Sequence, residues 1–249
     1  MIWNLLALTC EANIEVVKPT GYGTLGTFDI KYKGQSLSQF DAGTYVNLIV
    51  NGEKQPLDFS NKVTNNGLEA QFSYEITDDI VKIIYTINNP TSQPIRYKLG
   101  VYSDVDFNKG FKESKDKVYP LTDKSFYVEQ YDDADYKFVY LLMSKNGYYG
   151  PDDYFYGNSM AVDRNADKYF LKFDNYNPTP TLSDAVDILI SYSWKERELA
   201  VNSQEILALK LGFTKTPKIS KQPQDKTQYS SSGSIPLTIN VDDDKFGKS

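Results

Sequence analysis

The feature that most constrains this chain is a strict two-residue alternation between Leu68 and Thr77. Leu68, Ala70, Phe72, Tyr74 and Ile76 alternate with Glu69, Gln71, Ser73, Glu75 and Thr77. Successive side chains of an extended strand point to opposite faces, so this segment reads as a strand with one apolar and one wet face. Such strands belong to antiparallel sheets that leave one side to water. The pattern recurs at Val81, Ile83, Tyr85 and Ile87, stops over Asn88–Pro94, and resumes at Ile95, Tyr97, Leu99, Val101, Val105 and Phe107. The interruption is built of turn formers, so the two runs are expected to pair as a hairpin, with a bulge at Gly100.

Further strands are expected at Ile14–Lys18, Leu25–Lys33, Tyr45–Val50, Phe138–Met143, Tyr169–Phe173, Val186–Trp194 and Glu205–Phe213. Val186, Ile188, Ile190, Tyr192 and Trp194 share one face, and Leu207, Leu209, Leu211 and Phe213 another. No long segment carries a 3.6-residue period, which argues against helical and α/β folds. The fold class is therefore all-β: a large two-sheet antiparallel sandwich with long loops. Twenty tyrosines and thirteen phenylalanines supply the bulk for its core. Residues 1–214 form the sandwich domain in this reading. Lys215–Ser234, with its prolines and Ser-Ser-Ser-Gly run, reads as a linker, and 235–249 as a terminal strand or the start of a further module. The apolar start, Met1–Cys10, lacks a basic n-region and reads as a buried strand or short helix rather than a signal peptide. Trp3 and Trp194 are expected in the core.

What is missing narrows the chemistry. The chain has no histidine and one cysteine, Cys10. Ser-His-Asp and Cys-His machinery, histidine-ligated zinc and an intramolecular disulfide are all excluded. The net charge is −6, with no basic stripe, so nucleic acid is a poor partner. No run approaches the ~20 apolar residues of a membrane span. Paired carboxylates remain available for acid–base chemistry, but 33 acidic residues make close pairs common by composition alone.

Two constellations stand out. Asp104, Asp106 and Asn108 fall on one face of an extended strand, the oxygen-rich pattern a calcium ion would take. The competing reading is a solvated strand face, and calcium is the only cofactor the sequence suggests. The runs at Asp132–Asp135 and Asp242–Asp244 carry the same two readings. The second constellation is the aromatic and acidic stretch Tyr148–Asn158. Here Tyr149, Asp152, Asp153, Tyr154 and Tyr156 could stack on a sugar ring and bond its hydroxyls; the alternative is that the rings fold back as a lid on the core.

The order of Asn88–Pro94, Leu99-Gly100-Val101-Tyr102-Ser103-Asp104-Val105-Asp106, Ser191-Tyr192-Ser193-Trp194 and Leu211-Gly212-Phe213 resembles a galactose-mutarotase-like supersandwich over residues 11–214. It is most similar to the versions found in large protozoan surface proteins, where a Pro-containing linker and further Ig-like modules follow. The resemblance implies a carbohydrate-related fold. Mutarotases of that class use a histidine acid and a glutamate base, and with no histidine here no catalytic residue carries over. The sequence thus points to a non-enzymatic extracellular or cell-surface module for adhesion or carbohydrate recognition, with a carbohydrate or protein ligand. A carbohydrate-active enzyme using carboxylates and tyrosines, and an intracellular scaffold domain, are the alternatives.

Overall fold

The structure is a computed structural model, and it describes residues 13–21, 23–106, 116–129, 136–145, 147–173 and 182–215. Cys10, Trp3, Asn108, Asp132–Asp135 and everything from 216 onward, including the expected linker and terminal strand, lie outside the described residues.

The described residues form three antiparallel sheets. The smallest contains β1 (Ile14–Val17), β2 (Asp29–Tyr32) and β3 (Gln35–Ser36). The five-stranded sheet contains β4 (Thr44–Val50), β5 (Glu53–Pro56), β9 (Ile95–Val105), β13 (Asp153–Asn158) and β15 (Ile188–Leu199), in the order β13-β15-β9-β4-β5. The eight-stranded sheet contains β6 (Val63–Asn65), β7 (Leu68–Thr77), β8 (Ile80–Asn89), β10 (Asp116–Thr122), β11 (Ser125–Glu129), β12 (Tyr136–Leu141), β14 (Leu182–Val186) and β16 (Ser203–Lys215). Its order is β14-β10-β11-β12-β16-β8-β7-β6. The expected antiparallel sandwich is present, with the small sheet added.

The alternating faces meet in one core. Val81, Ile83, Tyr85 and Ile87 of β8, with Leu207, Leu209 and Leu211 of β16, oppose Leu99 and Val101 of β9 and Ile188, Ile190, Tyr192 and Trp194 of β15. Trp194 is fully buried, its ring edge-on to Tyr85 at 5.5 Å. Removing such faces from water is the main force holding two sheets together.

Three local expectations are corrected. First, β8 and β9 are not a hairpin; they lie in different sheets. The true partner of β8 is β7, joined through Asp78-Asp79, and Asn88–Pro94 instead crosses the sandwich. Asn89 fixes that crossing: its fully buried amide donates to the carbonyls of Gln93, Leu199 and Ala200. Turn residues mark where a chain reverses without saying which sheet it enters next. Second, Gly100 sits in unbroken register between Ser193 and Asn47. The bulge lies in the partner strand, between Trp194 and Arg197. Third, Tyr169–Phe173 is not a strand. A one-turn 3-10 helix, Lys168–Phe170, occupies its first half.

Residues 159–173 form a strap across the outer face of the five-stranded sheet. Val162 and Leu171 of the strap close a second small core with Phe155 and Leu189. The carbonyl of Tyr169 and the ring of Phe170 lie so close over Gly100 that a Cβ there would fall 2.7 Å from each. That approach explains the glycine.

Candidate functional site

The bulge in β15 builds the site. Ahead of it, Ile190, Tyr192 and Trp194 face the core; the extra residue shifts the phase, so that Arg197 and Leu199 face inward instead. Bulges re-aim side chains in this way. Arg197 therefore reaches the end of the sandwich, beside Tyr97 on β9 and opposite Glu205 on β16. Its guanidinium bonds Glu205 Oε1 at 3.0 Å and Asp152 Oδ2 at 3.1 Å. The second Glu205 oxygen accepts from the Tyr97 hydroxyl. Burial, and then that bond to a carboxylate, hold the Tyr97 hydroxyl far above its ordinary range, so it stays a proton donor.

The loop carrying Asp152 is fixed from several sides. Gly150 N–H donates to Ser144 Oγ at 2.9 Å, and a Cβ at Gly150 would meet the Leu142 carbonyl at 2.1 Å. The Tyr149 backbone pairs with β16, donating to Ile206 O and accepting from Ala208 N–H, each at 3.0 Å. Tyr149 O also accepts from Trp194 Nε1 at 2.8 Å. Lys124 Nζ bonds the carbonyls of Pro151 and Asp152. On this frame Tyr149 remains 51% exposed, with the Arg197 guanidinium 4.7 Å from its ring centroid. The ring borders a groove of about 700 Å³, lined also by Lys145, Tyr148, Glu198, Gln204 and Glu205. That volume is in the range that holds a small ligand.

The expected aromatic site is thus divided. Tyr149 lines the groove, and Asp152 braces it through Arg197 and the Lys195 N–H. Asp153 pairs with Lys195 Nζ at 3.3 Å. Tyr154 donates to Asp123 O and stacks on Phe126, while Tyr156 is 2% exposed among Phe126 and Phe173. These last two rings belong to the core side of β13. Arg197, Glu205 and Tyr97 went unnoticed in the sequence because the bulge that gathers them leaves only a faint signal, the loss of alternation after Trp194.

The acidic strand face lies on the outer side of the five-stranded sheet. Pairing of Ile188 with Val105 places Asp187 across from Asp106 and diagonal to Asp104. Burial, then the nearby Asp187 charge, push Asp104 up to about 7. Among the described residues no three His, Cys, Asp or Glu side chains gather as a metal site requires, and Asn108 is outside them.

No family model matches the sequence, and no curated protein matches it. Among solved structures, the chain is similar to a polysaccharide lyase over 82% of its length, at 10% identity and a TM-score of 0.49. It spans only 33% of that lyase chain. A galactose mutarotase related enzyme from Lactobacillus acidophilus aligns with 82% of this chain and 96% of its own, at 6% identity and a TM-score of 0.47. A protein from Synechocystis aligns over 82% of this chain and 78% of its own, at 10% identity and a TM-score of 0.36. Among the described residues no helix is long and apolar enough to cross a membrane.

Proposed function

We propose that the chain is a non-enzymatic carbohydrate-recognition module of an extracellular or cell-surface protein, binding a sugar in the groove beside Tyr149. The observation that carries this reading is the half-exposed Tyr149 ring, held rigidly at the edge of a polar groove. A sugar ring presents an apolar face and a rim of hydroxyls. An aromatic platform takes the first, and Glu198, Gln204 and Lys145 offer acceptors and donors for the second. Pre-ordering of the platform lowers the entropy lost on binding.

Recognition fits the groove better than acid–base catalysis. Glu205 is engaged by both Arg197 and the Tyr97 hydroxyl, while Glu198 makes only an exposed pair with Arg96 at 3.1 Å and stays available to accept from a sugar hydroxyl. The test is a glycan array followed by calorimetry on wild type and Tyr149→Ala. The backbone bonds of Tyr149 survive the change, so the variant keeps its fold and loses about tenfold in affinity, equivalent to ~1.4 kcal/mol of stacking. Equal binding by the variant would refute the site. Turnover of a polysaccharide, abolished by Glu205→Gln, would refute the non-enzymatic reading.

A further inference from the structure

The three sheets meet at a small internal cavity beside Asp29. Asp29, on β2, is 1% exposed, and its Oδ1 accepts from Ser38 Oγ at 3.0 Å. Its other oxygen, Oδ2, is buried with no hydrogen-bond partner among the described residues. The cavity is lined by Asp29 and Ser38, by Thr44 of β4, Ser103 of β9 and Tyr192 of β15 from the five-stranded sheet, and by Tyr140 of β12 from the eight-stranded sheet; apolar side chains complete it. Thr44 and Ser103 pair directly, and they continue the rows that bury Val46, Leu48, Leu99 and Val101 in the core. Hydroxyls thus stand where those rows otherwise carry aliphatic groups, around a carboxylate that lacks a donor.

We propose that this cavity binds a single water molecule, which donates to Asp29 Oδ2 and bonds a hydroxyl of the facing sheets, a polar bridge from the small sheet to the sandwich. A buried carboxylate oxygen without a donor costs free energy. A proton on Oδ2 would not remove the cost, because the resulting O–H also needs a partner and none stands within reach. The group that satisfies this oxygen must therefore donate a hydrogen bond, and it must be small. The cavity leaves about 10 Å³ for the centre of a water-sized body, the room that one molecule needs. A buried water makes about three hydrogen bonds, and Thr44, Ser103, Tyr140 and Tyr192 carry hydroxyls that either accept or donate. Tyr192 extends the connection, its hydroxyl 3.3 Å from that of Tyr85 on β8. The walls hold a set spacing: Thr44 N–H donates to Phe28 O at 2.6 Å, and Gly43 N–H donates to Ser38 Oγ at 2.7 Å.

A crystal structure of the full chain, at a resolution that shows ordered solvent, tests the site directly. The expected result is one solvent peak within hydrogen-bonding distance of Asp29 Oδ2 and of a hydroxyl on β4, β9, β12 or β15. The peak should persist in Asp29→Asn, because a water accepts from an amide as readily as it donates to a carboxylate, whereas a cation is held by the charge. Melting of the wild type in sodium, potassium and choline chloride at equal ionic strength separates the same two ligands without any variant, so the test stands even if Asp29→Asn does not fold. A water predicts one Tm in all three salts. A bound ion would stabilise the folded chain and raise Tm in its own salt by more than about 2 °C. A cavity without a peak in the wild type, a peak lost from folded Asp29→Asn, or a Tm that follows one cation each overturns the proposal.

Discussion

Replacing Gly100 with alanine tests how the strap and the sheet fit together. Gly100 pairs in register on both sides and does not adopt a positive φ, so it is not needed for backbone freedom. What it provides is space. A Cβ would stand 2.7 Å from Tyr169 O, 2.7 Å from Phe170 Cζ and 2.8 Å from Tyr169 Cβ. Phe170 can swing its ring tip, but the Tyr169 carbonyl and Cβ belong to the strap's 3-10 turn, and that turn is tied down by Asp167. The strap must shift as a unit. Two effects compete. Alanine in a strand is favoured over glycine by roughly 0.5–1 kcal/mol. Overpacking costs about 1–3 kcal/mol. The contacts are with backbone rather than a free side-chain end, so the clash wins and the variant should lose about 1–2 kcal/mol. In a domain of this size that is a fall in Tm of roughly 2–8 °C. Urea unfolding should show a lower midpoint at unchanged slope, because the same surface is exposed on unfolding. A variant as stable as wild type, or more so, would show that the strap does not press on Gly100, and the second core closed by Val162 and Leu171 would then need another explanation.

Further outcomes follow from the same contacts. Arg197→Met removes the one cation shared by Glu205 and Asp152, three groups each less than a third exposed; thermal or urea melts should show a loss of about 2–3 kcal/mol, and Glu205→Gln in the same chain should recover part of it. Asp104 holds its proton more tightly folded than unfolded. Its favourable contribution is therefore complete below the ordinary carboxylate range and drains away as pH rises from about 4 to about 7, by at most about 4 kcal/mol, whereas Asp104→Asn should flatten that part of the stability curve. If the Asp104 and Asp106 face holds a proton rather than calcium, millimolar calcium should leave the Tm of wild type unmoved; a clear rise would favour the cation.

The strands were legible where one face met the core and the other met water. Leu68–Phe72, Val81–Ile87 and Leu207–Phe213 all alternate, and all lie where expected. The pattern was silent about partners. Both a hairpin and a crossing between sheets call for Asn, Pro and Ser, and only the buried amide of Asn89, bonded to carbonyls more than a hundred residues away, distinguishes them. Tyr169, Leu171 and Phe173 misled for a related reason. A short strap that lies over a sheet also buries some residues and wets others, and five residues are too few to tell the periods apart.

The site was half legible for a physical reason. Tyr149 announced itself as an aromatic in a loop of glycine and acid, and its exposure is a local property of that loop. Arg197 did not, because its role depends on a phase shift. Had the alternation of Ile188–Trp194 continued, Arg197 would have pointed away from the core and Glu196 into it. The added residue of the bulge reverses this, and a cation takes the place at the end of the sandwich where Glu205 and the Tyr97 hydroxyl already stand. The same guanidinium then supports Tyr149 through its ring and the loop through Asp152. One inserted residue thus both turns Arg197 inward and fixes the platform, which is why weakening the Arg197 contacts should cost stability and sugar affinity together, whereas trimming the Tyr149 ring should cost affinity alone.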